Sequence, residues 1–296
     1  MTAKPLLKWV GGKTQIMDAV LEHFPASIQD YHEPFLGGGS VLLATLQHVS
    51  GTVYASDLNP HLIALYQQVQ TAPRPLIMVL RVLERNYQRA SSRVPQEVNR
   101  EPRNPTEAQT SAESYYYWIR GEYNRLHGLG HCSHVTTAMT VFLNRTCFRG
   151  LYREGPHGFN VPFGHYKNPA ICDEANIMAV SALIQGVVFR CQSFEVSLEA
   201  ATEHDFIYLD PPYVPEVATS FVGYTADGFP GSSHAALFAA IKELPCPFLL
   251  SNANVALVRE AFPSSDFQVD VVSARRAIHS TKPGSRCEEV LIRRPI

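Results

Sequence analysis

Apolar residues recur at helical spacing in residues 14–24 (TQIMDAVLEHF), where Ile16, Val20, Leu21 and Phe24 share a face after a Gly-Gly turn. A short segment through Tyr31-His32-Glu33-Pro34-Phe35 runs into three glycines, and SVLLATLQHV beyond them reads as a helix capped by Ser40. Residues 52–56 (TVYAS) form a short strand ending at Asp57, followed by the amphipathic HLIALYQQV. Strand, glycine turn, helix, strand and acid make the first half of a doubly wound nucleotide-binding unit.

That pattern then breaks. Residues 91–113 are polar and proline-rich and read as an exposed loop, while 114–127 and 135–144 read as helices. Residues 149–166 mix Gly, Pro, Arg and aromatics, which suits a hairpin or extended recognition loop. Alternation resumes with strands at 187–191, 206–210, 248–252, 267–273 and 287–293, and with helices near 233–243 and 255–262. The expectation is one α/β domain, residues 1–61 and 166–296, interrupted by a mainly helical insertion over 62–165.

Composition changes this picture little. At 296 residues and 45% hydrophobic, the chain can bury a sizeable core and is not globally disordered. No run is long and apolar enough to cross a bilayer. The N-terminal MTAKPLLKWVGGK reaches Gly-Gly-Lys too soon for a signal peptide, so an intracellular protein is expected. The six cysteines stand fifteen or more residues apart and read as reduced, mostly buried thiols, with neither disulfide nor metal spacing. Charge says more. The net charge is −2, yet residues 74–103 hold seven arginines against three acids, and 120–153 hold five arginines against Glu122 alone. Residues 195–243 are acidic by contrast, so the basic part of a charge-polarised chain could follow a phosphate backbone.

The chemistry concentrates at Asp210-Pro211-Pro212-Tyr213, directly after the apolar FIYL. Open α/β sheets bind ligands at the carboxyl ends of their strands. Two prolines stiffen the turn and leave carbonyls as acceptors. A carboxylate, carbonyls and an aromatic face suit a flat base with an exocyclic amine. Hydrogen bonds from that amine to Asp210 and the Pro211 carbonyl would favour a pyramidal nitrogen and support positive charge as a methyl group arrives. Tyr213 could stack on a base taken out of a duplex. The second element, Pro34-Phe35-Leu36-Gly37-Gly38-Gly39-Ser40, turns tightly toward a ligand, and Asp57 stands where an acid holds ribose hydroxyls. Leu42 replaces the third glycine of a dinucleotide fingerprint, which makes NAD less natural.

These motifs together resemble the DNA adenine methylase (Dam) family. The resemblance covers most of the chain apart from the polar stretch near 90–112. It runs through Leu7-Lys8-Trp9-Val10-Gly11-Gly12-Lys13, Glu33 to Gly39, Ala55-Ser56-Asp57-Leu58-Asn59, Phe142 to Arg153, Gly158 to Gly164, Ser251-Asn252 and the closing segment from Arg275-Arg276 to Leu291. It implies a Rossmann-like class I AdoMet-dependent methyltransferase sheet, with the insertion as a DNA target-recognition domain. It further implies direct transfer of a methyl group from S-adenosyl-L-methionine to N6 of an adenine flipped out of double-stranded DNA, with no metal and no covalent enzyme intermediate. Trp9 and Lys13 would contact cofactor beside Phe35, Gly37 and Gly39, with Asp57 on its ribose and Asp210 between cofactor and amine. One departure is Ser193-Phe194-Glu195, where relatives often have Asp-Phe, so no ligand role passes to Ser193. GATC is the leading candidate for the recognition sequence. A restriction endonuclease is a conceivable functional counterpart, without a stable complex.

Arg145, Arg149 and Arg153, together with Asn144, are the candidate DNA contacts, since arginine suits phosphates and the guanine edge. A solvated face is the competing reading for each. Residues 115–118 (YYYW) read as helix packing. Gly12-Lys13-Thr14 imitates a P-loop, but Leu7 stands where that loop needs glycine. Pro245-Cys246 precedes an apolar strand and reads as a buried thiol, and His279 as a surface residue. Two other functions compete: an amino-methyltransferase for cytosine N4, an RNA base or a protein amide, and a non-catalytic DNA-binding module. Asp210 favours adenine over the Ser usual for cytosine N4 and the Asn usual for protein glutamine.

Overall fold

The computed structural model describes residues 3–92, 97–130, 132–215, 229–275 and 286–295. The chain divides into two compact units, residues 1–9 with 64–185, and residues 10–63 with 186–296. In chain order the elements begin α1 (Met17–Leu21), β1 (Asp30–Glu33), α2 (Ser40–Thr45), β2 (Val53–Asp57) and α3 (Pro60–Thr71). They continue with α4 (Pro73–Ser91), α5 (Pro105–Ala108), α6 (Ala112–Gly128), α7 (His134–Thr146), β3 (Glu154–Gly155), β4 (Gly158–Phe159) and α8 (Glu174–Leu183). Last come β5 (Val187–Cys191), α9 (Phe194–Glu199), β6 (Asp205–Leu209), α10 (Gly231–Lys242), β7 (Phe248–Ala253), α11 (Ala256–Ala261), β8 (Gln268–Arg275) and β9 (Arg286–Arg293).

The unit formed by 10–63 and 186–296 holds a seven-stranded sheet in the order β5-β2-β1-β6-β7-β9-β8. The first five strands in that order run parallel, and β9 pairs antiparallel with both β7 and β8. The near-continuous apolar run of β6 follows from its place, buried on both faces. On one face Ile207, Leu209, Phe248, Leu250, Val290 and Ile292 pack with Leu237, Phe238 and Ile241 of α10 and Phe262 after α11. Phe24, Tyr31, Phe206 and Tyr208 gather in a separate aromatic cluster.

The other unit is mainly helical. α4 buries Leu76, Ile77, Leu80, Leu83, Tyr87 and Ala90, and Phe142 of α7 meets the rings of Tyr87 and Tyr115 edge-on. Tyr115, Tyr116 and Tyr117 are buried, as helix packing requires. The β3–β4 hairpin is tied to α6 by Asn124, which donates to the Phe159 carbonyl and accepts from the Phe159 amide. Gly158 has φ 87°, and a Cβ there would meet the Asn124 side chain at 2.7 Å.

Several expectations need correction. The helix expected over 14–24 is a 3-10 turn, Lys13–Gln15, followed by the short α1, because Ile16 between them has non-helical backbone. Ser40 does not cap α2. Gly39, at φ 65°, holds the cap position and the Ser40 hydroxyl accepts from the Lys13 amide instead. The expected loop over 91–113 contains α5 and the start of α6, and α4, α8 and α9 went unread. None of the six cysteines is in a disulfide, but only Cys147 and Cys246 are buried, while Cys132 and Cys191 are exposed. Arg276 and His279 lie outside the described residues. No helix among the described residues is long and apolar enough to cross a membrane.

Candidate functional site

Strands β1 and β6 are parallel neighbours, so the segments leaving their carboxyl ends emerge on one edge of the sheet. These are the glycine turn after Glu33 and the tetrapeptide starting at Asp210. The strand order reverses at this point, β2 lying on one side and β7 on the other, which is where doubly wound sheets bind ligands.

Gly37 and Gly39, at φ 47° and 65°, turn the chain in the left-handed region, and the Gly39 amide donates to the Leu36 carbonyl. Asp57, at the end of β2, closes this turn. It accepts from the Gly37 amide at 3.0 Å and from the Asn59 amide at 2.9 Å. Burial pushes its carboxyl up, and these amides pull it back toward the charged form. Phe35 stacks on Phe194 and meets Phe229 edge-on, giving the turn an aromatic wall.

At the tetrapeptide, Lys13 and Asp210 form an ion pair. The Lys13 ammonium donates to Asp210 Oδ2 at 2.7 Å and to the Gly11 carbonyl at 2.6 Å, and lies 2.6 Å from Oδ1. Lys13 is only 2% exposed and Asp210 19%, so the pair is poorly screened by water. Burial pushes Asp210 up to about 6, with Lys13 opposing that rise and the nearby Glu289 charge adding to it. The same ammonium lies 4.9 Å from the Tyr213 ring centroid, a cation–π distance. The Tyr213 hydroxyl in turn donates to Glu289 Oε2 of β9 at 2.7 Å.

Three supports escaped the sequence reading. Glu289 fixes the Tyr213 phenol. Asn252 of β7, fully buried, accepts from the Val214 amide at 3.1 Å and so anchors the end of the tetrapeptide. Glu33, buried at the end of β1, accepts from the Tyr31 hydroxyl at 2.7 Å. Burial pushes Glu33 up to about 8, the Tyr31 hydrogen bond and Lys13 holding it down and the Asp210 charge raising it. Ser251-Asn252, Glu33 and Glu289 all stood within family-like segments, which was the available signal, but none of them was given a role. Cys246 is buried with its thiol pushed up to about 11 by burial, which leaves it inert as a nucleophile.

The remaining predicted residues belong to the helical unit. Trp9 stacks on Tyr152 with ring centroids 5.5 Å apart. Asn144 and Arg145, expected at DNA, lie against the N-terminal segment. Asn144 is buried, its amide accepting from the Lys8 amide and donating to the Lys8 and Gly150 carbonyls. Arg145 donates to the Leu6 carbonyl, and burial lowers its guanidinium pKa. Both side chains brace the N-terminal segment, while the buried Arg145 Nε is left without a hydrogen-bond partner. Arg149 and Arg153 are exposed: Arg149 sits in a 3-10 turn at φ 56°, over the Phe148 ring, and Arg153 donates to the Asn160 side chain.

A model of the D12 class N6 adenine-specific DNA methyltransferase family matches residues 9–278. The chain is 35% identical over 292 residues to the Type II methyltransferase M.MjaIII of Methanocaldococcus jannaschii, covering 94% of each protein. It is 30% identical over 291 residues to the Type II methyltransferase M1.LlaDCHI of Lactococcus lactis subsp. cremoris, covering 96% of this chain and 92% of that one. It is 32% identical over 282 residues to the DNA adenine methylase of Escherichia coli K12, covering 94% and 90%. With a family match over nearly its whole length, relatives aligned end to end, and an acid–lysine pair at the switch point of its sheet, the chain belongs to the D12 class of N6 adenine-specific DNA methyltransferases.

Proposed function

We propose that this enzyme transfers a methyl group from S-adenosyl-L-methionine to N6 of an adenine flipped out of double-stranded DNA, using the unit built on the seven-stranded sheet. The observation that carries this reading is the buried Lys13–Asp210 pair, placed beside a glycine turn that Asp57 closes. The glycine turn fits a nucleotide-type cofactor: Asp57 is positioned for ribose hydroxyls, and Phe35 with Gly37 and Gly39 offers an apolar, close-approaching wall. Lys13 belongs to the same unit, and Trp9 joins this set through the family resemblance. When bound, AdoMet supplies an electrophilic methyl group.

The chain's own residues act on the amine. Lone pairs of the Asp210 carboxylate not used by Lys13, together with the Pro211 carbonyl, accept from N6 and draw its lone pair out of ring conjugation. The Lys13 ammonium keeps Asp210 ionised near neutral pH, so a negative charge waits where positive charge grows on nitrogen. Pro212 stiffens the turn, and Tyr213 offers its face to the extruded base. In the helical unit, Arg149 and Arg153 with the β3–β4 hairpin contact DNA, which makes the region 62–165 the target-recognition insertion and 1–61 with 166–296 the catalytic domain. GATC is the proposed target. A restriction endonuclease acting on the same sequence fits the Type II names of two relatives.

The test is methyl incorporation from labelled AdoMet into unmethylated genomic duplex DNA, with nucleoside analysis and mapping. N6-methyladenine confined to GATC is the expected result, and methylation at another sequence overturns the target. The Asp210→Ala protein should bind duplex and lose transfer; normal turnover would remove Asp210 from the mechanism.

A further inference from the structure

The arginine-rich stretch that opens the helical unit is left unused by the reading above. Opposite its buried side, α4 exposes Arg74, Arg81, Arg85 and Arg89. At 3.6 residues per turn these four fall within an arc of about 80°, and at 1.5 Å per residue they extend over about 22 Å. The same length of B-DNA presents about six phosphates on each strand.

Few acids answer this stripe. Arg81 pairs with Glu174, while among the described residues no ion pair engages Arg74, Arg85 or Arg89. The one acid of α4, Glu84, lies outside the arc and accepts from the Cys172 amide at 3.2 Å. An ordinary solvated helix face alternates charge at intervals of four. This one sets cations around Met78 and Val82, which are 68% and 45% exposed. The stripe also ends at a telling place, because Tyr87, between Arg85 and Arg89 in sequence and on the buried side of α4, donates to the Tyr166 carbonyl at 3.4 Å. Tyr166 is the last residue of the 149–166 segment, whose β3–β4 hairpin is assigned above to DNA contact.

We propose that α4 is a second, sequence-independent DNA contact that grips backbone phosphates flanking the methylated site. The inference rests on duplex DNA as substrate and adds a surface for holding it. Arginine on an exposed helix meets phosphate without reading bases, so the contact contributes affinity and salt dependence rather than target choice.

The experiment compares the parent with the triple variant R74Q/R85Q/R89Q, in which helix propensity is kept and charge is lost, and with R74K/R85K/R89K, in which charge is kept. Binding is measured by anisotropy against salt, on a short duplex and on one extended by about two helical turns of 10–10.5 base pairs. On the long duplex, the slope of log K against log salt for the Gln variant should fall by up to about 0.9 per arginine removed. The Lys variant should hold the parental slope, and turnover on the short duplex should be unchanged in both. A parental slope and affinity in the Gln variant overturn the proposal, as does equal loss in the Gln and Lys variants. A parent that binds no DNA overturns this proposal and the reading beneath it together.

Discussion

Burial holds Asp210 at about 6, and without Lys13 that value would climb further. Methyl transfer that needs the carboxylate should therefore show an acid limb near pH 6 in single-turnover rates. Lys13→Met should move the limb to higher pH, because Asp210 loses a neighbouring positive charge and the hydrogen bond that charge donates, both of which hold its pKa down. A limb left in place would mean that Lys13 does not set the charge of Asp210. Glu289 acts one bond further out, on the Tyr213 hydroxyl. Glu289→Ala should lower kcat by about 10-fold, as losing one orienting hydrogen bond near a reacting group does, with less effect on DNA binding. In a Tyr213→Phe background, assayed well above pH 6 where Asp210 is ionised with or without the Glu289 charge, the same change should do almost nothing, since the hydroxyl it orients is gone. Full, additive losses in the double variant would separate the two residues. Asp57, Asp210 and the glycines were legible because each sits in a short local motif. Glu289 and Asn252 stood in recognisable segments, but their roles were not legible, because strand register brings them to the site from distant parts of the chain.

Among the elements, strands were easier to read than helices. The β5 run of 187–191 and the apolar run before Asp210 coincide with strands to within a residue, since buried parallel strands announce themselves as short apolar blocks between turns. The long α4 went unread although its apolar positions recur at helical spacing. Pro73 and Pro75 do not argue against it, since proline is well tolerated in a helix's first turn, where no hydrogen bond is lost. The β3–β4 hairpin was anticipated from its glycines, but its anchor was not. Asn124→Ala should destabilise the protein by about 1–3 kcal/mol by leaving the buried Phe159 backbone unpaired on both sides, measurable by denaturant unfolding. Hydrogen exchange should quicken first at the hairpin amides. Unfolding identical to the parent would show that water replaces the side chain at no cost.

For the molecule as a whole, stability should depend on pH through Glu33. Its folded pKa of about 8 lies above the ordinary glutamate value of 4.5, so the folded state holds a proton that the unfolded chain releases. That contribution is fully present below the unfolded pKa and is lost as pH rises through 8. Asp210 adds in the same direction below pH 6, while burial lowers His32 and His234 from the ordinary 6.5 and so adds stability as pH rises toward 6.5, leaving the window from 6.5 to 8 to Glu33. Stability should fall across that window by up to about 1.4 kcal/mol per pH unit. Glu33→Gln keeps an acceptor for the Tyr31 hydroxyl and should flatten the slope; a slope that survives would assign it to other groups. Chain order adds a consequence in time. The helical unit takes most of its residues from one continuous stretch, 64–185, whereas β1 cannot meet β6 until about 175 residues of intervening chain exist. On a ribosome adding 5–20 residues per second, β1 and β2 emerge and wait about 7–30 s for their neighbours β6 and β5, with both edges of the pair bare until β5 is made. The edge between β1 and β6 thus comes into being only after the whole continuous stretch of the helical unit has been made, and a chain cut short before Asp210 lacks that edge altogether.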